Sequence, residues 1–167
     1  MLGIDYVIPD VSYLEEKKDK VRAYIITHGH EDHVGGLPYI IPKVPAPIYD
    51  ATLTRGLIEG KLKEFKIESQ VGFRTVNPET DSLQLGAFRL EFFRVNHSIP
   101  DSVGLAIRTP VGLVIHTGDF KFDHTPADEK TTSFGRLAKY GEEGVLALLS
   151  DSTNSEVPGY TISEKDI

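Results

Sequence analysis

The residues with the greatest chemical capacity lie in one run, Thr27-His28-Gly29-His30-Glu31-Asp32-His33, directly after the apolar stretch Ala23-Tyr24-Ile25-Ile26. Imidazole nitrogens and carboxylate oxygens together suit zinc and similar divalent ions. His28, His30, Asp32 and His33 place four such donors in six residues. Alternate residues of a tight loop point to opposite sides, so this run can serve two ions. The chain has no cysteine, which removes thiolate ligands and disulfides and leaves His, Asp and Glu as the donors. It also lacks a Gly-x-Ser-x-Gly elbow, which is consistent with attack by activated water rather than by a side chain.

Three further polar positions follow strand-like runs. His97 comes after 90–95, in Val95-Asn96-His97-Ser98; Asp119 after 112–115, in His116-Thr117-Gly118-Asp119; Asp151 after 145–149, in Ser150-Asp151-Ser152-Thr153-Asn154. Taken singly, a histidine after a strand is a structural residue and an aspartate after glycine is a turn residue. Layered folds, however, gather their ligands at the edge where successive strands end. With the first histidine loop fixed, one His and one Asp from later strand ends are what a two-ion site still needs.

The elements that must position these groups follow from hydrophobic period and punctuation. Residues 1–13 carry no helical period and read as extended loop and turn, and 15–20 as a charged, solvated segment. Residues 23–27 read as a buried strand running into the histidine loop. Gly35-Gly36 allows close backbone approach, and 37–41 forms a short helix stopped by Pro42. A short strand at 47–49 precedes a helix over 51–65, with Leu53, Leu57, Ile58, Leu62 and Phe65 at helical spacing against a sheet. From 73 to 115 the pattern changes to short alternating runs. Two hairpins are expected there, 83–85 with 88–95 around Gly86-Ala87, and 103–108 with 113–115 around Pro110-Val111-Gly112. Residues 133–140 read as helix, 145–149 as a buried strand, and Ser163-Glu164 as a helix cap. Strands with helices on their outer faces make an α/β layered fold.

Length and charge set the outer bounds. At 167 residues the chain can bury one sizeable core. It has no run of the roughly eighteen apolar residues that a membrane span needs and no signal-peptide pattern, and the absence of cysteine fits the cytoplasm. The formal charge of −7, from 18 basic and 25 acidic residues, argues against non-specific nucleic-acid binding. The objection is weak, because metal-binding carboxylates contribute to that total and bound cations reverse the local sign. Arg89, Arg94, Arg108 and Lys121 are the candidates for phosphate contact, and no aromatic-and-basic cluster marks a base-stacking platform.

The order His28-x-His30-x-Asp32-His33, then His97, then Asp119 resembles the metallo-β-lactamase superfamily of binuclear hydrolases. The wording of four segments narrows the resemblance: Ile4-Asp5-Tyr6-Val7-Ile8-Pro9-Asp10, 96–102 (Asn-His-Ser-Ile-Pro-Asp-Ser), 116–123 (His-Thr-Gly-Asp-Phe-Lys-Phe-Asp) and 149–154 (Leu-Ser-Asp-Ser-Thr-Asn). Over essentially the whole chain it is similar to the ribonuclease J family of β-CASP nucleases.

That resemblance implies a metallo-β-lactamase αββα sandwich, incomplete, over 1–150, with the start of a β-CASP insertion over 151–167. It implies two divalent metal ions, zinc with manganese as the alternative. His28, His30 and His97 would hold the first ion, Asp32 and His33 the second, and Asp119 would bridge both; Asp32 or Asp119 would also steer the proton of the attacking water. Asp151 matches the first acidic motif of the β-CASP group, beside the second ion. His116 matches no ligand position and reads as a supporting neighbour, and His124 as a surface residue. The implied activity is metal-dependent hydrolysis of RNA phosphodiester bonds, 5′-to-3′ exonucleolytic and endonucleolytic, in RNA decay and maturation. RNA is the implied partner, and a homo-oligomer, dimer or tetramer, the implied state of the full-length protein. Further strands and a further histidine of the family fall outside this sequence. The second metal site is therefore expected to lack a ligand, and this stretch alone to bind one zinc better than two and to be a weak or inactive nuclease. The competing readings are another hydrolase on the same fold, such as a thioesterase or lactonase, a β-CASP nuclease acting on DNA, and a non-catalytic scaffold piece.

Overall fold

The computed structural model describes Gly3 and residues 6–166. Met1, Leu2, Ile4, Asp5 and Ile167 lie outside the described residues, and with them part of the 1–13 segment and two residues of its Ile-Asp motif. Among the described residues, eight strands form two sheets. Strands β1 (Tyr24–Ile25), β2 (Ile48–Asp50) and β3 (Phe73–Thr75) make a parallel sheet in that order. Strands β4 (Ser82–Leu85), β5 (Phe88–Arg94), β6 (Val103–Thr109), β7 (Gly112–His116) and β8 (Val145–Leu149) make the second. This sheet is antiparallel through β7, and β8 joins it in parallel.

The α-helices among the described residues are α1 (Ser12–Glu16), α2 (Glu31–Val34), α3 (Leu37–Ile40), α4 (Thr52–Glu64) and α5 (Phe134–Glu143). Three apolar clusters show how the layers stack. Ile58 and Leu62 of α4 and Leu37 of α3 pack with Ile26 and Ile48 on one side of the first sheet. Tyr49 and Val76 meet Phe92, Val103 and Leu105 between the sheets. Phe93, Ala106, Leu113 and Ile115 meet Tyr140 and Leu137 of α5 on the far side of the second sheet. The result is an α/β layered fold of helix, sheet, sheet and helix, and the second sheet buries both faces along its central strands β5 to β7, where successive apolar side chains point to opposite sides.

Several expectations need correction. Ser12 and Tyr13 lie in the one-turn helix α1, where the Asp10 carboxylate accepts from the Ser12 N–H and hydroxyl and so starts the turn. The strand expected over 23–27 is assigned only at Tyr24 and Ile25; buried Ile26 still donates its N–H to the Tyr49 carbonyl at 3.0 Å, and buried Thr27 leads into the loop. Leu53, Leu57 and Phe65, expected on the inner face of α4, are 39%, 42% and 42% exposed, while Thr54 is fully buried in that face. Strand β3, not resolved as a separate strand from the sequence, completes the parallel sheet. The largest reversal concerns β8. It forms as a strand, but all five residues are exposed, because it is the outer strand of the second sheet and no helix covers it among the described residues. No helix of the described residues is long and apolar enough to cross a membrane.

Candidate metal centre

Topology explains why distant residues meet. The three strands of the first sheet run parallel, so their C-terminal ends share one edge, where the histidine loop leaves β1. In the second sheet β5 and β7 are each antiparallel to β6, and β8 is parallel to β7. The chain therefore leaves β5, β7 and β8 at one edge too, with His97, Asp119 and Asp151 just beyond. Two contacts fasten the edges together. The Val103 N–H donates to the Thr27 carbonyl at 2.9 Å, and Gly118, in the left-handed region at φ 61°, approaches Thr27 so closely that an added Cβ would lie 3.1 Å from the Thr27 Cβ.

Two overlapping groups of donor atoms result, His28 with His30 and His97, and His28 with His33 and Asp119. The His97 Nε2 lies 3.0 Å from the His30 Nδ1. The Asp119 Oδ2 lies 3.4 Å from the His33 Nε2, 3.7 Å from the His97 Nε2 and 3.9 Å from the His28 Nε2. Two nitrogens bound to one tetrahedral zinc at 2.0–2.1 Å are about 3.3 Å apart, so this spacing suits ligands of shared ions.

His28 carries the clearest sign of a missing partner. It is fully buried, its Nδ1 faces the Thr27 hydroxyl at 3.1 Å, and its Nε2 is buried without a hydrogen bond. An orphaned buried nitrogen costs free energy unless something binds it. Burial, then the fields of His33 and His97, pushes the imidazole down to about 4, with Asp119 opposing and His30 adding to the fall. The ring is thus neutral at pH 7, and protonation at Nδ1 toward Thr27 leaves the Nε2 lone pair facing the cluster. His97 is also lowered, by burial and by His30, against the pull of Asp119 and Asp151. The donor set fits a divalent ion.

The remaining site candidates fall around this cluster. Asp32 is outside both donor groups; its side chain is 77% exposed, with Oδ2 3.5 Å from the His33 Nε2. Asp151 sits beside the site. Burial raises its carboxyl, but hydrogen bonds from Thr153 and the Phe120 N–H and the field of His97 outweigh that and hold it below the ordinary carboxylate range. The Asp151 N–H in turn donates to the Thr117 hydroxyl. His116 accepts the Gly118 N–H on Nδ1 at 3.0 Å and so shapes the turn that delivers Asp119. His124 is exposed and stacks on Phe134.

The four cations suggested for phosphate contact are engaged with carboxylates. Arg89 faces Glu91, Arg94 faces Glu79, Arg108 pairs with Glu91 and Glu143, and Lys121 pairs with Glu164. Two supporting residues escaped the sequence reading. Thr27 orients His28. Asn96 ties the stem of His97 to 130–132: its Oδ1 accepts the Thr132 N–H and hydroxyl, its Nδ2 donates to the Lys130 carbonyl, and its own carbonyl accepts the Lys121 N–H. The only available sign was a polar residue directly before a strand-end histidine.

A helix-sheet-sheet-helix domain with imidazoles and a carboxylate converging at one sheet edge is an α/β domain whose donor set fits divalent-metal binding. The sequence profile of the metallo-beta-lactamase superfamily matches residues 4–152, and the chain belongs to that superfamily, whose fold implies divalent-metal binding. The chain is 49% identical to ribonuclease J of Thermus thermophilus over all of its own length and 30% of that protein. It is 48% identical to ribonuclease J2 of Bacillus subtilis, covering 98% of this chain and 29% of the relative. Against ribonuclease J of Helicobacter pylori it is 46% identical over the whole chain and 24% of the relative. It thus spans less than a third of the curated relatives it matches. Among solved structures, zinc-bound PqqB from Methylobacterium extorquens superposes with a TM-score of 0.58 at 18% identity, covering 84% of this chain and 51% of that one. A protein of unknown function from Enterococcus faecalis gives 0.58 at 19% identity over 84% and 33%. These likenesses show the fold.

Proposed function

We propose that the chain is part of a metal-dependent ribonuclease of the ribonuclease J type, which hydrolyses RNA phosphodiester bonds as a 5′-to-3′ exonuclease and an endonuclease in cytoplasmic RNA decay and maturation. The observation that carries this reading is the identity of 46–49% to ribonuclease J proteins over 98–100% of the chain. In the same reading, residues 1–150 belong to the metallo-β-lactamase domain, 151–167 open a β-CASP domain, and the full-length protein assembles as a homo-oligomer.

His28, His30 and His97 would hold one ion, zinc or manganese, and His33 and Asp119, with Asp32 nearby, a second. The family resemblance gives the shared position to Asp119; here the His28 Nε2 also lies within reach of both groups. Divalent ions bound there lower the pKa of a water and stabilise charge on the phosphoryl oxygens. The chain's own residues do the rest. Neutral His28 and His97 present lone pairs rather than protons, and buried Thr27 holds the His28 ring through its Nδ1. Asp119 faces three imidazoles at the centre of the cluster. Asp32 or Asp119 would steer the proton of the attacking water. Asp151 orders the turn at the end of β8 beside His97.

The test is product analysis on 5′-labelled, 5′-monophosphorylated RNA with the full-length protein and an Asp119→Ala control. Metal-dependent release of mononucleotides or defined fragments, lost in the control, is the expected outcome. A metal-loaded protein that leaves RNA intact but hydrolyses a thioester, a lactone or DNA would replace this reading with another hydrolase on the same fold.

A further inference from the structure

The donor cluster is divided between two bodies of the fold. His28, His30 and His33 ride on the loop after β1, whereas His97 and Asp119 hang from the second sheet, so the 3.0 Å approach of His30 to His97 depends on how the two edges are fastened. One fastening lies beside the site. Helix α4 begins after Ala51, which has no side-chain acceptor, and no cap is made at that position. The first N–H groups of a helix need acceptors from elsewhere. The Leu53 N–H, in the first turn, donates to the Asp101 Oδ2 at 3.3 Å, across a separation of 48 residues. Asp101 therefore does from the His97 loop what a capping side chain does locally, and its charge sits at the favourable end of the helix.

The same loop is shaped for this contact. Asp101 holds φ 60°, a left-handed conformation that costs a non-glycine residue energy and that Asp and Asn tolerate best. The Ser102 hydroxyl closes the turn on the Ile99 carbonyl at 2.9 Å. On the other side, α4 presses on the histidine loop. A Cβ added to Gly29, between His28 and His30, would lie 2.5 Å from Leu57 Cδ1, 3.5 Å from Thr54 Cα and 3.6 Å from Ile99 Cδ1. Helix α4, Gly29 and the His97 loop thus meet at one point, and Asp101 pins the helix to the loop there.

We infer that Asp101 is a positioning residue for the first metal site: by capping α4 it sets the separation of His30 and His97, and so the affinity of the His28, His30, His97 group for a divalent cation. The inference rests on the metal-binding reading above. Asp119 hangs from the end of β7 rather than from the loop that carries Asp101, so the second group should respond less.

The experiment is Co2+ titration of the full-length protein, followed by the ligand-field absorption of the bound ion and by chelator competition, well below the melting temperature. Asp101→Asn keeps an acceptor and tolerates the left-handed backbone, and should bind within about twofold of the parent. Asp101→Gly relieves the backbone but removes the cap, and Asp101→Ala removes the cap and adds strain. Both should weaken the first Co2+ about tenfold, as groups that orient ligands typically do, and change its absorption band. If Asp101→Gly melts earlier yet binds the first Co2+ with parental affinity and spectrum, Asp101 serves the fold only and the inference is overturned. A parent that binds no Co2+ removes the metal reading itself, and the inference with it.

Discussion

The two sheets supply the metal centre by opposite means. The first is small and parallel, with strands of two or three residues, yet it delivers His28, His30 and His33 from one continuous loop. The second is built on seven-residue strands β5 and β6 and delivers His97 and Asp119 from separate strand ends. On the first side, donor spacing is set by local backbone. On the second it is set by register, because a one-residue slip between β5 and β6, or between β6 and β7, would turn each side chain to the other face. The local half carries more donors on less scaffold, and the long strands serve mainly to hold two residues in place.

The largest test of this division is to remove one donor from each half. His28 belongs to both donor groups and His97 to one. His28→Ala should lower affinity for both ions by more than about a hundredfold, since even residues that only orient ligands are worth 10–100-fold. His97→Ala should release one ion and leave the other. Metal content after dialysis against a chelator series decides it. One ion retained at full affinity in His28→Ala would assign that residue to a single group.

Next in size is the scaffold. Phe93, 1% exposed, lies opposite Gly104 on β6, where an added Cβ would come within 2.3 Å of the ring. Phe93→Ala should cost about 3–5 kcal/mol in urea unfolding, the range for a truncated buried aromatic. Ile58→Ala, under the first sheet, should cost about 2–5 kcal/mol. If the second-sheet variant unfolds while still holding its metal, the division between local and register-set donors fails.

This division also decides what could be read from sequence. The donor loop is contiguous, so residue types and spacing singled out His28, His30 and His33, which converge here, but also Asp32, whose side chain stays outside both donor groups. Both hairpins and helices α4 and α5 followed from period and turn residues. His97 and Asp119 became persuasive only together, because a strand-end histidine means little until the sheet brings it to the same edge as the loop. Asp101 and Thr27 could not be found, since their partners are set by packing. The inner face of α4 was misassigned for the same reason. The face that presses on the sheet centres on Thr54, Ile58 and Leu62, whereas Leu57 lies beside Gly29 of the metal loop, and both it and Leu53 stay partly exposed.

A smaller effect distinguishes buried charge in the two halves. Asp50, at the end of β2, is fully buried, with neither oxygen hydrogen-bonded and Arg55 Nε 3.3 Å away. Burial raises its carboxyl to about 6, opposed by Arg55 and assisted by Glu59. Between the unfolded value near 3.9 and about 6, the folded chain binds more protons than the unfolded one. This group's contribution is therefore most favourable at low pH and is lost as pH rises to about 6, by on the order of 2–3 kcal/mol. The carboxylates held low elsewhere, such as Asp151 and Glu143, act in the opposite sense, so the informative quantity is the difference between the parent and Asp50→Asn. That difference should slope between pH 4 and 6 and flatten above. A flat difference curve would mean that Arg55 fully compensates the buried charge.

The smallest expected effect lies on β8, where sequence and structure part most clearly. Val145-Leu146-Ala147-Leu148-Leu149 reads as a buried strand, since a continuous apolar run with no polar alternation suits a strand covered on both faces. Here it pairs with β7 on one side only, and Leu146 and Leu148 are 60% and 62% exposed. The bulge opposite Leu113 and Val114 leaves Leu146 without a partner across the ladder, and its side chain lies over Gly112. Truncating an exposed side chain usually changes stability by less than about 0.5 kcal/mol. Leu148→Ala should therefore leave the unfolding midpoint of this 167-residue chain nearly unchanged, while the same substitution in a longer protein that covers β8 should cost about 2–5 kcal/mol. Equal, small losses in both would mean that β8 stays open in the longer protein. Equal, large losses would mean that β8 is already packed in the short chain, contrary to its exposure here.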